Sequence, residues 1–184
     1  GITGVSTPML APFFADVDTR GAGSGLVQYG QDTIGGRNVF GVNWINVGYF
    51  GAHVDKLNSF QLIVTDRSDV AAGDFDFEFN YDQIQWETGD ASGGSGGLGG
   101  TSAAAGWTNG AGQYFEFTGS RVNGAFLNAG PNALISGSRN SQTAGQYIFS
   151  VRNGQVVNPV PEPATLALLG LGLAGLAARR RKTS

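Results

Sequence analysis

The chain has no cysteine and a single histidine, and only 14% of its 184 residues are charged. Without cysteine there are no disulfides, thiolate zinc sites, thiol nucleophiles or dithiol redox pairs. With His53 as the sole imidazole, any centre that needs two is excluded. No window before residue 158 sustains a 3.6-residue apolar period for three turns, so long amphipathic helices are not expected there. The length fits one domain with a core large enough to hold without covalent staples. Glycine is plentiful instead, at 31 residues, well above the usual proportion of about 7%. The body should therefore be rich in turns.

Net charge is −3, and its distribution is uneven. Residues 1–158 carry seven basic and thirteen acidic side chains, a net of −6, whereas residues 159–184 carry four basic side chains against Glu162. An acidic body repels phosphate backbones and anionic head groups, which argues against nucleic acid as a partner. The basic residues of the tail need another explanation.

That tail runs Val160-Pro161-Glu162-Pro163, then fifteen uncharged residues from Ala164 to Ala178, then Arg179-Arg180-Arg181-Lys182. The prolines stop any upstream helix from continuing. A helix over 164–178 reaches roughly 22 Å, short of the ~30 Å hydrocarbon core, with snorkelling arginines extending the fit. The basic cluster would stay cytoplasmic as a stop, with residues 1–158 across the membrane. The alternative is a buried C-terminal helix of a soluble domain, but nothing polar interrupts the fifteen residues to give it an exposed face.

In the body, alternation of period two dominates. Phe75 to Asp82 alternates aromatics with acids and amides, as a strand with one buried and one wet face does. Residues 39–47, 60–64, 114–117 and 147–151 read the same way, and 26–29 is a shorter candidate. Short strands separated by Gly, Asn and Asp clusters predict a mainly β fold of antiparallel, sandwich-like sheets, joined at its C-terminus by the apolar helix 164–178. Residues 89–112 are the lowest-complexity stretch, either a flexible linker or a folded Gly-rich loop. Leu98 and Trp107 as apolar anchors favour the folded loop, with one helical turn expected at Ala103–Ala105.

Several letter matches carry no chemistry. Gly93-Gly94-Ser95-Gly96-Gly97 satisfies the nucleophile-elbow pattern, yet no helix follows it and His53 precedes the serine. Gly170 to Gly175 spells the dinucleotide fingerprint inside the apolar tail, without a preceding strand or a following acid. Asp16 and Asp18 are candidate calcium ligands, but an EF-hand-like loop would place oxygen donors where Arg20 and Val27 stand. The structural reading has Arg20 pairing with a carboxylate to shape the turn before Gly21. The acidic run Asp74, Asp76, Glu78 and Asp82 is read as a solvated strand face, with weak cation binding as its alternative. No resident cofactor is expected, calcium being the one candidate.

Two resemblances follow from these residues. The order Pro161-Glu162-Pro163, apolar stretch and Arg179-Arg180-Arg181-Lys182 resembles the PEP-CTERM signal of Gram-negative bacteria. That likeness implies recognition by an exosortase near the Pro-Glu-Pro motif, transient residence in the inner membrane through 164–178, and release or attachment at the cell exterior. The blocks Leu10 to Gly21, Val42-Asn43-Trp44, Val47-Gly48-Tyr49, Asn58 to Leu62, Gly73 to Tyr81, Gln85 to Asp90 and the glycines after it resemble the nidogen-like (NIDO) extracellular domain. This implies residues 1–157 as a non-catalytic interaction or adhesion module and 158–184 as the sorting tail. Family members carry strands before the Ala11-Pro12-Phe13 block, so an N-terminal strand and a signal peptide are expected upstream of Gly1. Exopolysaccharide or a matrix protein would be the ligand, with Trp44, Trp86 and Trp107 able to stack on sugar rings but better suited to the core. A calcium-dependent adhesion module is the alternative, and an exported hydrolase the third class.

Overall fold

A computed structural model describes residues 2–157, and the expected apolar helix 164–178 lies outside the described residues. The described residues form ten strands: β1 (Met9–Phe14), β2 (Val17–Asp18), β3 (Val27–Ile34), β4 (Arg37–Tyr49), β5 (His53–Asp66), β6 (Phe75–Gln83), β7 (Ala104–Thr108), β8 (Tyr114–Glu116), β9 (Gln146–Arg152) and β10 (Gln155–Val157). A major antiparallel sheet has the order β10-β9-β6-β5-β4, with β2 and β3 both paired to the last of these. A minor sheet, β1-β7-β8, lies over part of it. The mainly β, antiparallel expectation holds.

Registry explains the core. Phe79 stands opposite Leu62 on one side and Tyr147 on the other, and Phe77 opposite Val64 and Phe149, so the aromatics of β6 fall on one face with those of its neighbours. The minor sheet adds Trp107, edge-on to Phe77 (79°) and Phe149 (75°), and Phe13 against Phe60 at 5.4 Å. Phe77 and Phe149 stack at 4.9 Å with planes 12° apart. Aromatics bury large areas and add pair geometry to burial, which suits a fold with no covalent staples.

Where expectation and structure differ, the reasons are local. β5 begins seven residues before Phe60, because the polar Asn58 and Ser59 are buried and lose the alternation that would reveal them. β1 contains Pro12, tolerated because β1 is an edge strand with a registry break between Ala11 and Phe14. The helical turn expected at Ala103–Ala105 is corrected: Ala104 and Ala105 open β7, every residue of which is buried. Burial between partners overrides the intrinsic preference of alanine. The single turn of helix in this stretch is a 3₁₀ turn at Asp90–Ser92.

The Gly-rich stretch is a folded loop. Gly97 O accepts from the N–H groups of Glu87 (2.8 Å) and Thr88 (3.1 Å), and Ala103 N–H returns to Glu87 O at 3.0 Å. Gly97 has φ 87°, and a Cβ there would stand 2.9 Å from the Trp86 Cβ, so both conformation and space require glycine. Glu87 is buried and its carboxylate accepts from the N–H groups of Gly124 and Phe126, pinning the loop that follows β8. Burial is the strongest influence on this carboxyl and raises it above the ordinary value, against those two donors.

Glu87→Ala leaves two N–H groups without acceptors beneath the loop, so a loss of about 3 kcal/mol in unfolding free energy is expected by chemical denaturation. A loss below ~1 kcal/mol would show that the loop is held by other contacts.

Candidate functional site

The predicted acidic pair sits at a corner where β2, the β4–β5 turn and the Gly-rich loop meet, and its two carboxylates face different partners. Asp16 accepts from the Ser92 N–H (2.9 Å) and Oγ (2.8 Å), tying the segment after β1 to the 3₁₀ turn. Asp18 is buried and accepts from Arg20 N–H (3.0 Å), Nε (2.8 Å) and Nη2 (2.6 Å) and from Ala52 N–H (3.0 Å). This is the expected Arg20 pairing, and it adds a clamp on the β4–β5 turn. The Arg20 side chain, more than its backbone N–H, holds the Asp18 carboxyl well below the usual carboxylate range. The guanidinium also lies 5.3 Å from the Phe50 ring centroid. A cation at either aspartate would have to displace donors already in place. Among the described residues no three His, Asp or Glu side chains cluster as a metal site would require.

His53 completes the corner. Its ring stacks on Tyr49 at 4.8 Å, and its Nε2 meets Asp90 Oδ2 at 3.0 Å. Tyr49 donates to Asp55 Oδ1 at 2.7 Å, and burial, reinforced by that carboxylate, raises its hydroxyl above the ordinary tyrosine value. Three clamps therefore join at this point: Asp16 to Ser92, Asp18 to Arg20 and Ala52, and His53 to Asp90. Sequence reasoning found the Arg20 pairing with a carboxylate, a local contact two residues apart, and missed the rest, which span 34, 76 and 37 positions.

The acidic strand face is corrected in part. Asp82 is exposed as expected, but Asp76 accepts from Arg67 (2.6 Å) and from Arg152 (2.7 Å). Arg67 also reaches Asp69 at 2.9 Å, which Arg37 contacts at 3.0 Å. Asp74 is buried and accepts from the Asn153 N–H at 2.9 Å. Glu78 accepts from Asn80 and Gln146. Burial raises the Asp76 carboxyl, but Arg67 and then Arg152 together outweigh it, leaving the group below its ordinary value.

Trp86 and Trp107 are core residues: Trp86 is fully buried and donates its Nε1–H to Val47 O at 3.0 Å. Trp44 is half-buried and stacks on Phe60 at 4.9 Å. The concavity that sequence reasoning missed lies between β8, the start of β9 and the loop 117–139. It is a cleft of about 770 Å³ bordered by Phe115, Thr118, Asn132, Ser136 and Arg139, and no carboxylate lines it. The Arg139 guanidinium lies over the Phe115 (4.9 Å) and Phe149 (5.3 Å) rings. Pro161, Glu162, Pro163 and Arg179, Arg180, Arg181 and Lys182 lie outside the described residues. Among the described residues no helix is long and apolar enough to cross a membrane.

Because Asp18, Asp69 and Asp76 lie below their unfolded values, their stabilisation is fully present above about pH 4 and is lost as pH falls toward the folded values. Asp18→Asn is expected to melt lower than the parent at pH 7 and to lose less between pH 4 and pH 2. Thermal melts across that range check it, and a variant with the parental acid slope contradicts the assignment.

Residues 30–153 match the family model described as the nidogen-like domain, and residues 159–182 match the PEP-CTERM protein-sorting motif. Alpha-tectorin of Mus musculus is 31% identical over 175 residues, covering 82% of this chain and 8% of its own length. Alpha-tectorin of Gallus gallus is 33% identical over 138 residues, covering 72% and 6%, and that of Homo sapiens 34% over 127 residues, covering 66% and 5%. The chain thus spans less than a tenth of the length of these curated relatives. No solved structure matches it. With a family model covering most of the β sandwich, from β3 through β9, the chain belongs to the nidogen-like domain family.

Proposed function

We propose that this is an exported protein whose body is a non-catalytic interaction module, sorted by an exosortase and delivered to the cell surface or extracellular matrix. The observation that carries the reading is the juxtaposition of a nidogen-like match ending at residue 153 and a sorting-motif match beginning at 159. In this reading the enzyme acts near Pro161-Glu162-Pro163, residues 164–178 hold the precursor in the inner membrane, and Arg179 to Lys182 stop transfer. What supports a binding role over catalysis is the engagement of the polar groups. His53 meets Asp90, and the acids of the Asp16 and Asp18 corner are held by Ser92, Arg20 and Ala52. None of these is left as an activated nucleophile and base in mutual reach.

The ligand proposed is exopolysaccharide, with a matrix protein as the other candidate. The cleft beside Phe115, Asn132 and Ser136 combines apolar lining with amide and hydroxyl groups and no carboxylate, which suits a polyhydroxylated chain. Calcium dependence through Asp16 and Asp18 is the second reading, and the ligand assay separates the two.

In a host that carries an exosortase, the parent chain is expected to yield a shortened exterior form, while Glu162→Ala accumulates at full length in the inner membrane. Equal processing of the two refutes the sorting role. Separately, the processed chain is incubated with the host's exopolysaccharide, with and without EDTA. Retention in both arms supports the leading reading, retention only with calcium selects the second, and release of sugar would reinstate a hydrolase.

A further inference from the structure

At the end of the major sheet opposite β10 lies the edge strand β3, and its backbone is set out for pairing. β3 and β4 are joined by Gly35-Gly36, with φ 58° and 79°, and Ile34 stands opposite Arg37. In a two-residue hairpin of this kind the flanking residues exchange both hydrogen bonds, and bonding alternates from there. Gln28, Gly30, Asp32 and Ile34 therefore bond to β4, while Val27, Tyr29, Gln31 and Thr33 direct their N–H and C=O groups away from the sheet. Of these donors, the Thr33 N–H meets the Asp32 carboxylate at 2.7 Å. No described strand pairs with the outer side of β3. Edges are ordinarily blunted by charged side chains, proline or a bulge, and of these β3 has a single charge, Asp32.

Side chains and charge point the same way. All eight residues of β3 are exposed. Tyr29 is 78% exposed and Leu26 69%, and Ile34 at the turn is 58% exposed. Tyr29 lies 6.2 Å from Phe40, extending the apolar face of the sheet past the cover of the minor sheet. Residues 26–45 carry one acid, Asp32, and one base, Arg37, in a body whose net charge is −6. Two copies of such an acidic body repel on average, and this hairpin, like the uncharged stretches 91–115 and 122–138, adds no net charge to that repulsion.

We propose that β3 pairs antiparallel with β3 of a second copy of this chain, joining the two major sheets across a two-fold axis. An axis perpendicular to the sheet keeps each side chain on its own face, so paired residue numbers must sum to an even number. With the axis at Gly30, Tyr29 opposes Gln31 and Val27 opposes Thr33, and these four residues are the ones whose backbone groups point outward. In the same registry Asp32 opposes Gln28 rather than another Asp32, and Leu26 opposes Ile34. Gly30 meets Gly30 at the non-hydrogen-bonded position, where backbones approach to about 4.5 Å. The inference concerns a different surface from the cleft and does not depend on how the tail is processed.

The absence of cysteine allows a direct test. A Cβ at Gly30 meets nothing within 4 Å, so Gly30→Cys is accommodated. Two such thiols on the axis lie within disulfide range, about 4.4–6.8 Å between Cα atoms. The full chain in non-ionic detergent is treated with oxidised glutathione and run on a non-reducing gel. Gly30→Cys is expected to give about tenfold more linked dimer than Val122→Cys, an exposed control outside the hairpin, because only geometry within the disulfide range closes efficiently. Adding Gln31→Pro, which removes an outward N–H, is expected to abolish the excess with little change in thermal melt. Equal linkage of Gly30→Cys and Val122→Cys would mean association through the tail or collision, and would overturn the proposal. Linkage of Gly30→Cys mainly to a different protein would assign the edge to another occupant and overturn it as well.

Discussion

The segment from Ile84 to Gly89, buried except at Gln85, is the constraint on which the other parts depend. It leaves β6 and crosses the end of the sandwich outside any strand, so its backbone groups need partners from elsewhere. Asn58 on β5 supplies three, accepting from the N–H groups of Gln85 (2.7 Å) and Trp86 (3.2 Å) and donating to Trp86 O (2.9 Å). Trp86 fills the gap between Phe13 and Tyr49 and donates to β4, while Glu87 holds the loop after β8. One short run thereby fixes both sheets and two long loops. A buried polar group of this kind is costly unless every bond is made, so the segment specifies one arrangement as well as stabilising it.

The same logic explains why the Gly-rich loop is ordered despite its composition. Its glycines contribute little burial, and its order comes from Gly97 O and from the Ser92 turn held by Asp16. The corner around Asp18 and His53 therefore serves the loop. A small concavity lies at this corner, lined by Asp16 and Ser92, while the larger cleft that borders β8 and the loop 117–139 is separate from it.

What could be read from the sequence followed the range over which each signal acts. β6 was legible because Phe75, Phe77, Phe79 and Tyr81 alternate with polar residues in an unbroken run, and its partners share that period. The pairing of Arg20 with a nearby carboxylate was legible because it is local, and the structure assigns it to Asp18, two residues away. β7 was not, because Ala104, Ala105 and Gly106 are buried and small, and carry no alternation. The pairing of Arg152 with Asp76 was hidden for a different reason, since the partners lie 76 positions apart and meet only once β9 docks on β6. Beyond residues 26–29, β3 was missed because Gly30, Gln31 and Asp32 read as loop, and a strand exposed on both faces has no buried partner to impose a pattern.

That last difficulty carries physical meaning. A strand shaped by the core must show a buried face, whereas β3 is held by one hairpin turn and by backbone bonds to β4. It lies five strand positions from β10, roughly 24 Å across the sheet, and β10 is where the chain leaves toward residues 158–184. A body tethered through β10 would keep the β3 edge on its far side. Sequence at such an edge is freed from packing and constrained instead by what it meets or must avoid. From 26 to 45 the charges balance, with Asp32 against Arg37, so a second copy meets no net charge along this edge.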